Sequence, residues 1–255
     1  IELLICHVLG YDRVSLYTKF DQPLLDEELK SLKELVKRRT QREPLQYILK
    51  KTPFLDIEIE LSKDVLIPRP ETELLVRQVI EEVKDEGNGL NILDIGTGSG
   101  CIALALAKHF SRSNVMALDI SEGALELAKK NAEQNAIGNV YFKRIDILRD
   151  DLSGEEFDII VSNPPYISSN EYETLEPELK LFEPKVALSD SSDGLKFYRR
   201  FAEIFSHLLA AGGRAYLEIG FGQSERVLDL FSSYQNARLI EDYSKIERVL
   251  CVENS

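Results

Sequence analysis

A chain of 255 residues, 44% hydrophobic and 29% charged, excludes a disordered or fibrous protein and suits one large α/β domain with a small companion, at roughly 100–200 residues per domain. The net charge of −13 disfavours a default binder of phosphate backbones, and the longest apolar run, Cys101 to Ala107, is far short of the ~20 residues of a membrane helix. Three cysteines with no C-x-x-C pair point to a reducing, cytoplasmic compartment and leave no zinc or other metal site to expect.

Ile1 opens the chain without a basic leader, so no signal peptide is expected, and residues are expected to precede it. Residues 1 to about 43 read as helix throughout. Leu3, Leu4, Val8 and Leu9 form one apolar stripe; Leu25, Leu29, Leu32, Leu35 and Val36 form a second at helical spacing. From Lys30 to Lys51 eight basic residues face only Glu34 and Glu43. A solvated helix face is the first expectation for them; a docking patch for an acidic partner or RNA is the second.

The period then changes to two. Leu55, Ile57, Ile59 and Leu61 alternate with polar residues, which predicts a half-buried strand. Tyr47-Ile-Leu49 before it and Val65-Leu-Ile67 after it suggest a hairpin. The expected division is a helical recognition domain over 1–45, a β-hairpin linker over 46–68 and a catalytic domain over 69–255. Pro70 near a first turn, with Glu71 and Glu73 beside it, opens a helix.

After Gly87-Asn-Gly89, strands alternate with helices. Strands are predicted at 90–95, 115–120, 140–145, 157–162 and 214–219, with a final pair at 237–242 and 246–252. Helices are predicted at 99–110, from Ser121 to about Ala136 with Gly138 past its end, at about 194–211, and at 223–233. The alternation implies an α/β fold with a mostly parallel, doubly wound sheet. Residues 164–193 are too long for a bare connector, a length usually associated with function, and Pro177 and Pro184 argue against one continuous helix there.

Gly96-Thr-Gly-Ser-Gly100 joins a strand to a helix, where glycines allow a tight turn and close approach of a ligand to backbone amides. Asp119 ends the next strand, where an acidic side chain accepts both ribose hydroxyls of a nucleotide; this pattern alone also fits a dinucleotide site. Asp146 ends the third strand and Asn163 the fourth. With Asp94, these residues form one polar rim at the carboxyl ends of strands, where open α/β sheets bind ligands.

Asn163-Pro-Pro-Tyr166 supplies the chemistry of that rim. Two prolines fix two φ angles and remove two donors, and each restrains the residue before it. The carbonyls of Asn163 and Pro164 are thus held in fixed directions beside an amide, which donates and accepts, and an aromatic ring. Such a set suits a planar –NH₂ group. His7, His109 and His207 fall in predicted helices away from the strand ends, and Glu183 and Glu218 read first as structural carboxylates rather than proton acceptors.

Asp94-Ile-Gly-Thr-Gly-Ser-Gly100, Asp119, Asp146 and Asn163-Pro-Pro-Tyr166 resemble the class I S-adenosylmethionine-dependent methyltransferases that modify planar nitrogens. With Arg69-Pro-Glu-Thr72, Asp193-Gly-Leu195 and Tyr198-Arg199, the whole chain resembles the release factor glutamine methyltransferases, the HemK/PrmC family of protein-(glutamine-N5) methyltransferases. The resemblance implies a Rossmann-like class I methyltransferase sheet with an antiparallel last strand, a small N-terminal helical domain and a β-hairpin linker.

It further implies transfer of a methyl group from S-adenosyl-L-methionine to the N5 amide nitrogen of a glutamine in the Gly-Gly-Gln loop of class 1 peptide chain release factors. A cytoplasmic monomer that does not act on DNA is expected. Carried over by position, Gly96, Thr97, Gly98, Ser99 and Gly100 would wrap the methionine end of the cofactor. Asp119 would hold the ribose, Asp146 the adenine amino group, and Ile147, often aromatic in the family, would flank the ring. Asn163 and the Pro164 carbonyl would take the two amide hydrogens of the substrate, with Pro165 walling the pocket and Tyr166 packed on the amide. Two alternatives share the motif. An adenine-N6 methyltransferase on DNA or RNA needs base flipping and a basic groove, and the ribosomal-protein glutamine methyltransferases usually carry Ser-Pro after Pro-Arg, where this chain has Pro-Glu-Thr.

Overall fold

The computed structural model describes residues 1–84, 89–234 and 236–254. Four helices come first: α1 (Glu2–Leu9), α2 (Arg13–Thr18), α3 (Asp26–Thr40) and α4 (Leu45–Leu49). A hairpin of β1 (Lys51–Phe54) and β2 (Ile57–Glu60) follows, antiparallel with Lys51 opposite Glu60. The predicted strand over Tyr47–Leu49 is instead the helix α4, closed by Lys50 in the left-handed region. The predicted strand from Leu55 begins only at Ile57, because Leu55 has φ 49° and makes the turn.

The larger unit contains α5 (Pro70–Glu82), β3 (Asn91–Ile95), α6 (Cys101–His109), β4 (Asn114–Asp119), α7 (Glu122–Gln134), β5 (Val140–Arg144) and β6 (Phe157–Ser162). Three short helices, α8 (Ser169–Thr174), α9 (Pro177–Phe182) and α10 (Lys185–Leu188), fill the segment that is too long for a bare connector. Then come α11 (Lys196–Leu208), β7 (Leu209–Glu218), α12 (Ser224–Leu230), β8 (Arg238–Glu241) and β9 (Glu247–Glu253). Part of the turn expected before β3, residues 87–88, lies outside the described residues.

Local chemistry sets several of these boundaries. Pro70 stands in the first turn of α5, where its fixed φ suits the helix and its missing N–H costs nothing. The Ser121 hydroxyl accepts from the Ala124 amide and starts α7. Ala136, with φ 55°, follows that helix, so the expected closing role of Gly138 is taken two residues earlier. Pro177 and Pro184 start α9 and α10, which is why no single helix crosses this region.

The seven-stranded sheet has the order β5-β4-β3-β6-β7-β9-β8. β5 through β7 run parallel in that order, and β9 is antiparallel to both β7 and β8. The chain reverses its winding between β3 and β6, where ligands of such sheets bind. Register makes this concrete. Ile95 pairs with Ser162 and Ser162 with Leu217, so the residues that follow (Gly96, Asn163 and Glu218) emerge side by side.

Two apolar layers hold the sheet. Leu75, Val76 and Val79 of α5, most of α6, and Phe54 and Ile59 of the hairpin cover one face. Phe201, Phe205 and Leu208 of α11 with Val227 and Phe231 cover the other, the first two rings stacked with centroids 5.1 Å apart. Each fully buried side chain of this kind contributes about 1.5–3 kcal/mol relative to exposure. The hairpin is also tied to α7 by polar bonds: Glu60 N–H donates to Asn131 Oδ1 at 2.8 Å, and Asn131 Nδ2 donates to the Glu60 carbonyl at 3.1 Å.

Half of the eight basic residues from Lys30 to Lys51 form ion pairs within the chain. Arg38 pairs with Glu43 at 2.5 Å, Lys51 with Glu58 at 2.8 Å, and Arg39 reaches Glu178 of α9 at 3.0 Å. Arg42 approaches Glu176 at 3.8 Å. The helical layer therefore faces the α8–α10 segment through opposite charges. Among the described residues no helix is long and apolar enough to cross a membrane.

Candidate active site

A cavity of about 660 Å³ opens at the carboxyl ends of β3, β4, β5 and β6, a size typical of small-molecule sites. Gly96, Thr97, Gly98 and Ser99 line it, as do Asp119, Asp146, Ile147, Asn163, Pro164 and Pro165. Gly100 has φ 84° and caps α6 behind the loop. Tyr166 lies behind the two prolines, and its hydroxyl turns to Glu218.

The glycine loop is folded back on the sheet. Gly96 and Thr97 amides both donate to the Leu118 carbonyl at 2.8 Å, and the Gly98 amide donates to Asp119 Oδ2 at 2.9 Å. Cys101 and Ile102 at the start of α6, where a helix N-terminus favours negative charge, also line the cavity. Gly96 and Gly98 sit at φ 75° and 55°, and a Cβ on either would project into open space. That space is a cradle for a ligand against bare backbone.

Asp94 lies beneath the loop, fully buried. Its Oδ2 accepts from Thr97 Oγ1 at 2.6 Å and from the Ala103 amide at 3.2 Å, while Oδ1 is buried without a partner. Burial pushes its pKa up to about 7, and the Asp119 charge adds to the rise. Burial also raises Asp119, against the backbone bonds from Ser121 and Gly98. Each oxygen of Asp119 carries one of those bonds, so lone pairs remain for a pair of hydroxyls. Asp146 accepts from the Leu148 amide at 3.1 Å and pairs with Arg149 at 3.4 Å. Ile147 presents a buried aliphatic wall.

Asn163 donates through Nδ2 to Thr72 Oγ1 at 3.1 Å, and Thr72 donates to Glu218 Oε2 at 2.7 Å. The Tyr166 hydroxyl donates to Glu218 Oε1 at 3.4 Å. Burial pushes the Glu218 pKa up to about 7, opposed by the Thr72 bond. The Tyr166 carbonyl accepts from Gln223 Nε2 at 2.8 Å, and Gly194 lies so close that an added Cβ would meet that carbonyl at 2.5 Å. Among the described residues the Pro164 carbonyl accepts no hydrogen bond. Glu183 is spent on the linker: it accepts from the Ile67 amide at 3.2 Å and pairs with Arg69. None of His7, His109 and His207 lines the cavity.

Sequence reasoning singled out the four strand ends but missed other walls. Asp64, Val65 and Pro68 of the linker, and Lys185, Val186 and Ser189 of the long segment, also border the cavity. The length of the 164–193 segment was the only signal for the second group. Thr72 stood inside a recognised motif without a role.

A glycine loop after β3, acidic strand ends on β4 and β5, and Asn-Pro-Pro-Tyr after β6 around one cavity define a class I S-adenosylmethionine-dependent methyltransferase. A model described as "Methyltransferase domain" matches residues 86–214, and one described as "PrmC N-terminal domain" matches residues 1–49. The chain belongs to the release factor glutamine methyltransferase family. It is 41% identical to the protein of that name from Geobacter sulfurreducens, over 98% of this chain and 87% of that one. It is 40% identical to the one from Thermodesulfovibrio yellowstonii, over 99% and 91%. A solved methyltransferase from Pyrococcus furiosus shares the fold, with TM-score 0.59 and 20% identity over 87% of this chain and 98% of that one.

The residues present fit the cofactor. The cradle at Gly96 and Gly98 gives backbone access, the unpartnered Asp94 oxygen lies below it, and carboxylates end the next two strands. This donor set, acidic with an apolar wall at Ile147, suits a cationic nucleoside.

Proposed function

We propose that this chain methylates the side-chain amide nitrogen of a glutamine in a peptide chain release factor. The observation that carries the proposal is the adjacency of the glycine loop and Asn163, set by the Ile95–Ser162 register, within one cavity. The family supports the substrate.

S-adenosylmethionine supplies a methyl group already activated on a sulfonium. The chain's task is alignment. Well-oriented reactions gain about 7–11 kcal/mol from positioning. Asp119 holds the ribose, Asp146 and Ile147 the adenine, and the loop from Gly96 to Ser99 the methionine end. Asn163 Oδ1 and the Pro164 carbonyl accept the two hydrogens of the substrate amide, leaving its nitrogen aimed at the methyl. These bonds push electron density back onto a nitrogen whose lone pair is otherwise delocalised. Pro165 and Tyr166 brace the two acceptors. Glu183 and Glu218 are occupied by protein donors and lie off the cavity lining, so the proton leaves to water.

The helical layer over α1–α4 serves recognition of the folded substrate, supported by its exposed Val14, Tyr17 and Phe20 and its lack of cavity residues. Three free, buried cysteines support a cytoplasmic setting, and the net charge of −13 supports a protein rather than DNA as substrate. Asn163→Ala tests the site. Turnover should fall on the order of 10²–10³-fold, as on removal of one preorganised group, with cofactor affinity little changed. Unaltered turnover would remove Asn163 from the chemistry.

A further inference from the structure

We infer, resting on the role assigned above to Asn163, that Thr72 and Glu218 are positioning residues that decide which end of the Asn163 amide faces the substrate. The two ends of a carboxamide are nearly the same shape and opposite in chemistry: one accepts and the other donates. A substrate –NH₂ meets an acceptor in Oδ1, whereas Nδ2 in the same place sets donor against donor. Packing alone does not choose between them.

The hydroxyl of Thr72 does. It has one hydrogen and spends it on Glu218 Oε2 at 2.7 Å, so it offers Asn163 only a lone pair. Nδ2 is therefore the end that turns to Thr72, at 3.1 Å, and Oδ1 is left toward the cavity. The direction of the chain originates at Glu218, whose carboxylate accepts and does not donate when ionised. The same carboxylate takes the Tyr166 hydroxyl at 3.4 Å, so it steadies both ends of the motif.

Thr72 and Glu218 are each 2% exposed, so no bulk water competes with this chain. Three elements meet here: the first turn of α5, the end of β6 and the end of β7. Leu217 pairs with Ser162, and this register, not sequence proximity, brings Glu218 beside Asn163. Thr72 borders the cavity and Glu218 does not, and both act through Asn163.

The test is steady-state turnover of the full-length enzyme with S-adenosylmethionine and a release factor, with cofactor affinity measured in parallel. Thr72→Val keeps the shape and removes the hydroxyl. It should lower kcat about tenfold, as expected for one lost hydrogen bond, with cofactor Kd within about twofold of wild type. Thr72→Ser should restore kcat. Thr72→Val combined with Asn163→Ala should be no slower than Asn163→Ala alone, since the hydroxyl acts only through the amide. Wild-type kcat in Thr72→Val beside a crippled Asn163→Ala would overturn the positioning role and leave the Asn163 assignment intact. A fully active Asn163→Ala would instead remove the assignment beneath it. Losses that multiply in the double variant also overturn the proposal. Should Thr72→Val fail to fold, Glu218→Gln serves. Its amide offers one acceptor oxygen in place of two, so kcat should again fall about tenfold, and wild-type kcat there has the same adverse meaning.

Discussion

The Gly98 amide donates to Asp119 Oδ2 at 2.9 Å, so the glycine loop and the end of β4 share one hydrogen bond. Asp119 thereby has two tasks. It holds the loop that forms the cradle, and under the proposed function its remaining lone pairs take a ribose. Asp119→Ala removes charge-assisted bonds worth about 1.5–3 kcal/mol and releases the Gly98 amide. Calorimetry should show S-adenosylmethionine affinity falling roughly 10- to 100-fold. Hydrogen exchange should quicken at Gly98. Unchanged affinity would take Asp119 out of the site.

Glu183 is a clamp between the linker and the long segment. Its carboxylate is 1% exposed and holds the Ile67 amide and the Arg69 guanidinium. Arg69 is 31% exposed and can be hydrated when its partner goes. Glu183→Gln should therefore destabilise by about 1–3 kcal/mol, less than a fully sealed ion pair would. Denaturant midpoints measure this. A midpoint equal to wild type would mean that the clamp contributes nothing to folding.

Two buried carboxyls set a slope of stability with pH. Burial moves Asp94 from 3.8 and Glu218 from 4.5, both to about 7. The folded chain thus binds these protons more tightly than the unfolded chain. Their favourable contribution is complete below about pH 4 and is lost as pH rises from about 4 to about 7. In Glu218→Gln the second part of that slope disappears. Unfolding free energies across this window should show wild type losing stability relative to the variant as pH rises. A constant difference between the two would mean that Glu218 titrates alike in both states.

The ion pairs of Arg39 with Glu178 and Arg42 with Glu176 join the end of α3 and the turn after it to the start of α9 across exposed surface. Such pairs are worth about 0–1 kcal/mol each. Arg39→Glu with Arg42→Glu should barely move the melting point. It should speed exchange of amides in 176–190, since like charges then face each other. The effect should shrink in high salt. Salt-independent exchange would show that packing rather than charge holds this face.

The glycine loop and Asn163-Pro-Pro-Tyr166 were legible because their meaning is local. Each needs only a strand before it and a turn chemistry written in consecutive residues. The parallel sheet followed from alternation of strand and helix. Thr72 and Glu218 were not legible as a pair, because 146 positions separate them and only the packing of α5 against β7 unites them. The Tyr47–Leu49 segment misled for a different reason. A short apolar run has no period to distinguish strand from helix, and Lys50 in the left-handed region ends it as a helix. The basic run from Lys30 to Lys51 was read as a solvated face or a docking patch. Its lysines are exposed to solvent, as a solvated face requires, and Arg39, Arg42 and Lys51 also meet acids brought in from the hairpin and α9.

Mass spectrometry of a release factor incubated with the enzyme and S-adenosylmethionine bears most directly on the proposed reaction. One added methyl group should appear on a single glutamine, on its side-chain nitrogen, and should be absent with Asn163→Ala. Methyl transfer to adenine in nucleic acid, with none on the protein, would contradict it.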